Sequence, residues 1–280
     1  MKDKGVSKLD QAKRCYARIM AAESKSDDPR LERVFELVPR EAFLPAGPWK
    51  VMVDYRYFET PTDDPVYVYQ NALIALDAAK GINNGEPCLH AAWIGAVAPR
   101  PGERICHIGA GTGYYTAILS MLAAPGGSVE AFEIDHALAA AARRNLAPYE
   151  GVMVTRGDAT LLELPAADLI YVNAAVLAPP RSWLQALRPN GRLIFPWQPS
   201  NSVGLAILIT RTEKGLDAKP LMAAWFIPCV GGASTQDARV KAPGWSAAWS
   251  VRSLWLTSER MPDATSVATY EHVWFSSSPL

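Results

Sequence analysis

The sequence predicts an α/β protein built on a doubly wound, mostly parallel sheet, with N-terminal helices and a β-rich C-terminal extension. Three observations predict this class. Short apolar strands alternate with helical patterns between residues 105 and 196, a glycine-rich turn follows the first of these strands, and aromatic-rich strand patterns replace the helices after about residue 213. Strands and helices that alternate at this spacing form a parallel sheet covered by helices on both faces.

The composition is that of a globular protein without a charge bias. Of the 280 residues, 49% are hydrophobic and 20% are charged, which is enough apolar material for a packed core. Lysine and arginine together number 28, as do aspartate and glutamate. This balance gives no general attraction to nucleic acid or to an anionic membrane, so we expect neither as a partner. The sequence leaves the oligomeric state open.

The distribution of cysteines, histidines and apolar runs excludes several other classes of protein. The four cysteines and four histidines are scattered and show no metal-ligand or disulfide spacing, so we expect no metal site. Residues 1–4 are mostly charged and begin no apolar signal segment, and the longest aliphatic run, 203–209, is too short to span a bilayer. We therefore expect a cytoplasmic protein with free thiols.

Residues 1–80 predict a helical and extended segment that packs on the core. Apolar residues recur at helical spacing over 9–24, and a second helix is expected to begin near Asp28 and to end before Pro39. Residues 46–70 are rich in aromatic residues and proline. This composition is typical of extended chain, which either packs on a core or lines a substrate-binding wall.

Residues 81–212 are expected to form the ligand-binding core, and residues 213–280 the extension. The expected strands of the core lie at 105–108, 128–134, 152–156, 169–173, 192–196 and 205–210, and the expected helices at 88–97, 112–123, 136–145 and 182–187. The extension begins with a hairpin turn at 213–215. Its further strands are expected at 223–227 and around the aromatic residues Trp245, Trp249, Trp255, Tyr270, Trp274 and Phe275.

The glycine-rich turn predicts a nucleotide-type ligand. Glycines stand at 109, 111 and 113, between the strand at 105–108 and the next helix. Glycine lets a ligand approach the backbone closely, and the start of a helix offers free N–H groups. A dinucleotide-binding turn has its third glycine one residue later, where this chain has Tyr114. The spacing favours a cofactor without a pyrophosphate, such as S-adenosyl-L-methionine (AdoMet), over NAD.

Two acidic residues follow the next two strands. Glu133 lies 20 residues after Gly113, at the end of a strand, where a carboxylate can accept hydrogen bonds from ribose hydroxyls. Asp158 ends the following strand, in the sequence Arg156-Gly157-Asp158-Ala159. Open α/β sheets bind ligands at the carboxyl ends of their strands. The glycine-rich turn, Glu133 and Asp158 are therefore expected to bind the same cofactor.

From residue 31 to about residue 200, the chain resembles the protein-L-isoaspartate O-methyltransferases. The segments that carry the resemblance are Val38-Pro39-Arg40-Glu41-Ala42-Phe43-Leu44-Pro45, Asn84-Gly85-Glu86-Pro87, Ile108-Gly109-Ala110-Gly111-Thr112-Gly113-Tyr114, Glu133-Ile134, Gly157-Asp158-Ala159, Val172-Asn173-Ala174-Ala175 and Leu187-Arg188-Pro189-Asn190-Gly191-Arg192-Leu193. The resemblance implies a Rossmann-like, AdoMet-dependent O-methyltransferase. Its expected acceptor is a carboxylate oxygen of a protein, a peptide or a small molecule.

The resemblance also implies roles for individual residues. The acceptor site would be the loop and helix at 83–92, and Asn173 would lie near the transferred methyl group. The cofactor-binding residues that it implies are Gly109, Ala110, Gly111 and Gly113 for the methionine and ribose end, Glu133 with Ile134 for the ribose hydroxyls, and Asp158 with Ala159 for the adenine.

The chain departs from the family pattern at two positions. His107 stands where the family has an acidic residue, and we expect it to hydrogen-bond locally beside the cofactor. The family's acceptor loop carries a serine where this chain has Leu89, one residue after Cys88. Cys88, His90 and Asn173 are therefore the candidates for the catalytic centre, with packing as the alternative role for Cys88 and a structural polar contact as the alternative for His90.

The chemistry of the acceptor decides whether a base is needed. A carboxylate is already a nucleophile at neutral pH, so alignment and exclusion of water suffice for its methylation. A hydroxyl or amine acceptor needs a base, and His90 is the candidate. Two alternatives follow from the departures: an O-methyltransferase that acts on another acceptor in a biosynthetic pathway, and an AdoMet-binding protein without transferase activity.

Overall fold

The structure is a computed structural model that describes residues 6–231 and 242–280, so the charged residues 1–4 considered above lie outside it. The described chain divides into two compact units. The first contains the described residues up to Gly102, together with Ala110–Ser128 and Ala137–Met153. The second contains Glu103–Gly109, Val129–His136 and the described residues from Val154 onward.

The helices and strands of the described residues follow the predicted order. The α-helices are α1 (Lys8–Glu23), α2 (Arg30–Leu37), α3 (Pro87–Val97), α4 (Tyr114–Ala123), α5 (His136–Leu146), α6 (Arg181–Ala186) and α7 (Trp245–Trp249), with 3-10 helices at Arg40–Phe43 and Pro65–Val68. The strands are β1 (Lys50–Val53), β2 (Arg56–Glu59), β3 (Leu73–Asp77), β4 (Ile82–Asn83), β5 (Arg104–Ile108), β6 (Ser128–Glu133), β7 (Val152–Arg156), β8 (Ala167–Val172), β9 (Leu187–Ser200), β10 (Val203–Thr212), β11 (Gly215–Ala223), β12 (Ser253–Leu256), β13 (Ser266–Thr269) and β14 (Val273–Ser276). The elements predicted between residues 88 and 210 are confirmed to within two residues at each end, except for β9.

The first unit opens with two helices that pack on each other. Oγ of Ser7 accepts a hydrogen bond from the backbone N of Asp10 and so caps the start of α1. The Asp28 carboxylate accepts one from the backbone N of Arg30, at 2.9 Å, at the start of α2. Tyr16 of α1 meets Phe35 of α2 edge to face, with ring centroids 6.2 Å apart, so buried aromatic residues join the two helices.

Much of the aromatic-rich segment forms a hairpin. β1 pairs antiparallel with β2 and with β3, in a four-stranded sheet of order β2-β1-β3-β4. At the tip, Asp54 and Tyr55 both have positive φ, as in a two-residue hairpin turn. Trp49 and Tyr69 are buried, whereas Tyr55 is 95% exposed. Packing, one of the two alternatives for these aromatic residues, holds for Trp49 and Tyr69, whereas Tyr55, Phe58 and Tyr67 are exposed.

Ten described strands form one sheet, most of which belongs to the second unit. Its order is β13-β14-β12-β11-β10-β9-β8-β5-β6-β7. β5 pairs in parallel with β8, and β8 with β9. When β5 to β9 are numbered along the chain, they lie in the order 3-2-1-4-5, which is that of doubly wound Rossmann-like sheets. The predicted α/β class is confirmed.

The strands after β8 extend the sheet in antiparallel fashion. β9 pairs with β10, and β10 with β11, across a turn at residues 213–214 that confirms the predicted hairpin. β12, β14 and β13 follow, each antiparallel to its neighbour, and form the β-rich extension. The chain after residue 212 therefore continues the same sheet. The domain boundaries expected at residues 80 and 212 stay a prediction.

Three expectations for this half of the chain are wrong. β9 begins five residues earlier than expected. The proline-containing segment before Asn190, which has positive φ, is a bulge within the strand and not a turn that precedes it. The strand expected at 223–227 is absent from the described residues, because β11 ends at Ala223. The strand expected around Trp245 and Trp249 is the helix α7, on which residues four apart lie on one face.

In the part of the chain that the structure describes, no helix is both long enough and apolar enough to cross a bilayer.

Candidate functional site

The glycine-rich turn connects β5 to α4. The predicted helix start at Thr112 is two residues early, because Gly113 has a φ of 101° and precedes the first helical residue, Tyr114. Gly109 and Gly111 also have positive φ, at 74° and 56°. A Cβ on Gly113 would lie 2.7 Å from Cδ1 of the buried Leu146. The turn therefore requires glycine for its backbone shape and, at residue 113, for space as well.

Within the first unit, the segment 38–45 supports the start of α4. The Thr112 hydroxyl donates a hydrogen bond to the backbone O of Phe43, and the ring of Phe43 lies edge to face with that of Tyr114, at 5.7 Å. The Tyr114 hydroxyl is 3.1 Å from that of Tyr16. Nδ2 of Asn145 donates to the backbone O of Thr112 at 3.0 Å. The contacts of Phe43 thus place the 38–45 segment against the start of α4.

Within the second unit, Glu133 and Asp158 lie at neighbouring strand ends. Glu133 is the last residue of β6 and is 6% exposed, and its backbone O accepts a hydrogen bond from N of Gly157 at 3.0 Å. One oxygen of its carboxylate accepts from N of Asp135 at 2.9 Å. The Asp158 carboxylate accepts from N and Oγ1 of Thr160, at 2.9 and 2.7 Å. Two carboxylates thus stand at the edge of the sheet where α/β proteins bind ligands.

His107 and Asn173 join the ends of β5 and β8, where the strand order reverses. Nδ2 of Asn173 lies 2.9 Å from Nε2 of His107, and N of Asn173 donates to the backbone O of Ile108 at 2.8 Å. The expected local hydrogen bond of His107 is confirmed. Oδ1 of Asn173 is buried and has no hydrogen-bond partner among the described residues. It is an acceptor placed at the point of the sheet where ligands bind.

Burial keeps the His107 ring neutral. The side chain is fully buried, which lowers its pKa to about 3, although the hydrogen bond to Asn173 acts in the opposite direction. Protons therefore bind the unfolded chain more strongly than the folded one. The stability that follows from the neutral ring is complete above the ordinary histidine pKa of about 6.5 and is lost progressively as the pH falls towards 3.

Replacing His107 with glutamine is expected to flatten the acid side of the stability profile. Between pH 7.5 and pH 5, protonation of this residue in the unfolded state lowers the free energy of unfolding of the wild type by about 2 kcal/mol, and the variant lacks this contribution. Urea unfolding at the two pH values measures it. His272→Gln is the control, because that side chain is 61% exposed. Equal pH dependence in the wild type and His107→Gln would contradict the expectation.

The candidate acceptor segment, 83–92, is held within the first unit by side-chain contacts. Oδ1 of Asn84 accepts a hydrogen bond from N of Ile74 at 2.9 Å, and Asn71 bridges the start of α3. The Asn71 side chain donates to the Glu86 carboxylate and accepts from N of Cys88, both at 2.8 Å. The loop and the first turn of α3 are thus fixed by the amides of two asparagines, only one of which belonged to the sequence motif.

Cys88 and His90 differ in their surroundings. Burial, with the carboxylates of Glu23 and Glu86 nearby, raises the pKa of the Cys88 thiol to about 11. This thiol is protonated at neutral pH and is a poor nucleophile or base. His90 is 1% exposed and stacks on Tyr115, with ring centroids 3.7 Å apart. Both catalytic roles stay predictions, and the stacked His90 ring makes the structural contact that was its alternative.

Sequence reasoning missed two residues that lie at the carboxylates of the second unit. Cys229 is buried, and the pKa of its thiol is raised to about 11 by burial and by the nearby Asp158 and Glu133. Gly231 lies so close to Asp158 that a Cβ would meet the carboxylate. The Gly231-Gly232 pair in the sequence was the available signal, but the proximity of Gly231 to Asp158 is a long-range contact that no local pattern contains.

Within 6–231 and 242–280, no group of three or more histidine, cysteine, aspartate or glutamate side chains is arranged to hold a metal ion.

Comparison with known proteins gives consistent matches. The family model described as Protein-L-isoaspartate(D-aspartate) O-methyltransferase matches residues 18–234. The protein-L-isoaspartate O-methyltransferase of Methylorubrum extorquens (strain PA1) is 32% identical over 203 residues, which are 71% of this chain and 80% of that protein.

Two solved structures align with most of the chain. A protein-L-isoaspartate O-methyltransferase is 25% identical, with a TM-score of 0.66, and the match covers 78% of this chain and 66% of that one, just under two thirds. A protein described as such an enzyme from Plasmodium falciparum, in complex with S-adenosyl-L-homocysteine, is 17% identical with a TM-score of 0.62, covering 78% of this chain and 97% of that one. This second likeness concerns the fold alone.

Proposed function

Because the chain belongs to the protein-L-isoaspartate O-methyltransferase family and is an AdoMet-dependent methyltransferase, we propose that it transfers a methyl group to a carboxylate oxygen of a protein or peptide. The observation that carries the proposal is the family match over residues 18–234, which includes the turn, both carboxylates and the acceptor segment. The isoaspartyl residue is the proposed acceptor. The relatives reported above are named for this acceptor, which supports the choice.

We propose that the second unit binds the adenosine part of AdoMet through its carboxylates. The Glu133 carboxylate accepts hydrogen bonds from the ribose hydroxyls, beside Ile134, and Asp158 with Ala159 recognises the adenine. The donor set fits, because ribose hydroxyls and an adenine amino group are hydrogen-bond donors and carboxylates accept. His107 is fully buried and acts as a positioning residue through Asn173, whose buried Oδ1 is free to accept from a ligand.

We propose that backbone groups of the glycine-rich turn recognise the methionine end. Gly109 in the second unit, and Ala110, Gly111 and Gly113 in the first, carry this role. Positive φ and the lack of a side chain at the three glycines support it, because a ligand can approach such a backbone closely.

The proposed reaction requires little acid–base chemistry from the chain. AdoMet, when bound, supplies an electrophilic methyl group on a positively charged sulfur. The acceptor carboxylate is ionised at neutral pH, so no residue has to remove a proton from it. The residues of the acceptor segment are left with alignment of the carboxylate and exclusion of water. This mechanism needs no base in the acceptor segment. It is therefore compatible with a protonated thiol at Cys88 and with a leucine in place of the family's serine.

Replacing Cys88 with alanine is therefore expected to leave kcat within about threefold of the wild type, since a lost general base costs about 100-fold or more. His90→Gln is measured beside it, because a hydroxyl or amine acceptor would require that residue as the base. Steady-state methylation of a peptide acceptor at pH 7.5 gives both values. A loss of two orders of magnitude in Cys88→Ala would exclude alignment as the main contribution of this segment.

The acceptor itself is tested with matched peptides. Two peptides of the same sequence, one with an isoaspartyl and one with a normal aspartyl residue, are incubated with the protein and methyl-labelled AdoMet. We expect label in the isoaspartyl peptide and none in its isomer. Equal labelling of the two peptides would show that the acceptor is any carboxylate and not the isoaspartyl group in particular. AdoMet binding without transfer to either peptide would favour a protein that has lost the transferase reaction.

We also propose that the protein works in the cytoplasm. All four cysteines lie among the described residues as free thiols, which supports a reducing compartment.

A further inference from the structure

The chain that follows β11 returns to the end of β8. We call residues 224–231 the return segment. Its start is held by a hydrogen bond from N of Ala224 to O of Gly204, at 2.9 Å. Its middle pairs with Ala175, which donates from N to O of Ile227 at 2.9 Å and accepts at O from N of Cys229 at 2.8 Å. The return segment is thus fixed two residues beyond Asn173, at the ligand-binding edge of the sheet.

The other end of the return segment lies against the Asp158 carboxylate. A Cβ built on Gly231 would be 1.8 Å from Oδ2 of Asp158 and 2.6 Å from Cγ, well inside van der Waals contact. Gly231 also has a φ of 115°, in the region that favours glycine. The preceding Cys229 is buried, and its thiol experiences the charges of both Asp158 and Glu133. Two residues of one segment therefore adjoin the two carboxylates of the second unit.

We propose that the return segment forms one wall of the adenosine subsite, and that Gly231 is a positioning residue for Asp158. This proposal rests on the proposed function, which assigns Asp158 to the adenine. With glycine at residue 231, the backbone lies directly on one side of the carboxylate and fixes its orientation towards the ligand. Any larger side chain displaces either the carboxylate or the segment. The last residues of the return segment thus contribute to cofactor affinity from more than 70 positions beyond Asp158 in the chain.

The test is the affinity of full-length Gly231→Ala for AdoMet and S-adenosyl-L-homocysteine, measured by calorimetry. We expect both ligands to bind at least about tenfold more weakly than to the wild type, which is a loss of about 1.4 kcal/mol. Gly126→Ala is the matched control, because Gly126 has a φ of 81° and a Cβ there meets nothing within 4 Å. It also places alanine at a positive φ but without the collision, so its affinity should stay within about twofold of the wild type. Equal affinities in Gly231→Ala and Gly126→Ala would overturn the proposal.

A double-mutant cycle with Asp158→Ala separates this proposal from the proposed function. Removing the carboxylate removes the collision, so the additional effect of Gly231→Ala should vanish in that background. If Asp158→Ala alone leaves the affinity unchanged, the assignment of Asp158 to the cofactor is wrong. A further outcome is that Asp158→Ala weakens binding while Gly231→Ala weakens it by the same factor in both backgrounds. In that case Gly231 does not position Asp158, and the assignment of Asp158 to the cofactor stands.

A measurement on the wild type covers the case in which Gly231→Ala fails to fold. Hydrogen exchange of the backbone amides in 224–231 is followed with and without S-adenosyl-L-homocysteine. A wall of the adenosine subsite should exchange more slowly when the ligand is bound. Unchanged exchange in the return segment, with slower exchange elsewhere in the chain, would overturn the proposal.

Discussion

Replacing Arg40 with alanine is expected to lower the free energy of unfolding by about 3–5 kcal/mol, the upper range for the loss of a buried hydrogen-bond network. The side chain is completely buried in the first unit. Its two terminal nitrogens donate to the backbone O atoms of Val68, Gln70 and Ala72, at 2.5 to 2.7 Å, and to Oδ1 of Asn84 at 3.4 Å. Truncation leaves these acceptors without a donor in a buried place, which costs more than the hydrogen bonds contribute.

The same side chain connects the sequence motif at 38–45 to the acceptor segment. The guanidinium lies 5.8 Å from the ring of Tyr16, and its partners run along the chain that precedes β3. Lysine cannot replace it, because a single ammonium group does not reproduce a planar fork that reaches four acceptors. Arg40→Lys is therefore expected to restore only part of the stability.

Thermal unfolding of the full-length protein measures the effect of Arg40→Ala. A fall of the midpoint by roughly 10 °C is expected for a unit of this size. Arg33→Ala is the control, since that side chain is 63% exposed and its pairing with Glu36 contributes about 0.5 kcal/mol or less. The expectation fails if the midpoints of the two variants agree within about 2 °C.

Replacing Glu133 with alanine is expected to weaken AdoMet binding by about 10- to 100-fold. This range corresponds to the roughly 1.5–3 kcal/mol of a hydrogen bond to a charged group that is lost in a buried place. The Glu133 carboxylate is 6% exposed, and its contact with N of Asp135 fixes its orientation. Glu133→Gln keeps the shape and loses the charge, so its affinity should lie between those of the wild type and the alanine variant.

Glu130 provides the matched control for this measurement. It lies on the same strand, three residues earlier, and accepts a hydrogen bond from Oγ1 of Thr155 at 3.1 Å. Glu130→Gln can keep that hydrogen bond, so it should bind AdoMet as the wild type does. If calorimetry gives Glu133→Gln and Glu130→Gln the same affinity, Glu133 does not bind the ribose.

The order of strands and helices was predictable because its signals are local. Glycines at 109, 111 and 113 require a turn, and alternating apolar patterns around them require strands and helices. The placement of Glu133 and Asp158 at neighbouring strand ends followed from the same alternation. The start of α4 could be placed only to within two residues, because the sequence does not show that Gly113 itself takes positive φ.

The errors arise where a distant contact decides the structure. The apolar run around Trp225 has the composition of a strand, but the hydrogen bonds of Ile227 and Cys229 to Ala175 remove the chain from the sheet. The residues around Trp245 and Trp249 have a composition that suits a strand as well as a helix. They form a helix, in which Trp245 stacks on the distant Trp225. The role proposed for Gly231 depends on its distance to Asp158, a contact between residues far apart in the sequence.

The transferred methyl group is expected to end in a carboxylate ester, and the stability of the product towards base tests this proposal most directly. The isoaspartyl peptide is labelled with methyl-labelled AdoMet, separated from the cofactor and brought to alkaline pH. We expect the label to leave the peptide as volatile methanol, because esters hydrolyse under these conditions. Label that stays on the peptide after alkaline treatment would contradict the proposal, since ethers and methylated amines survive.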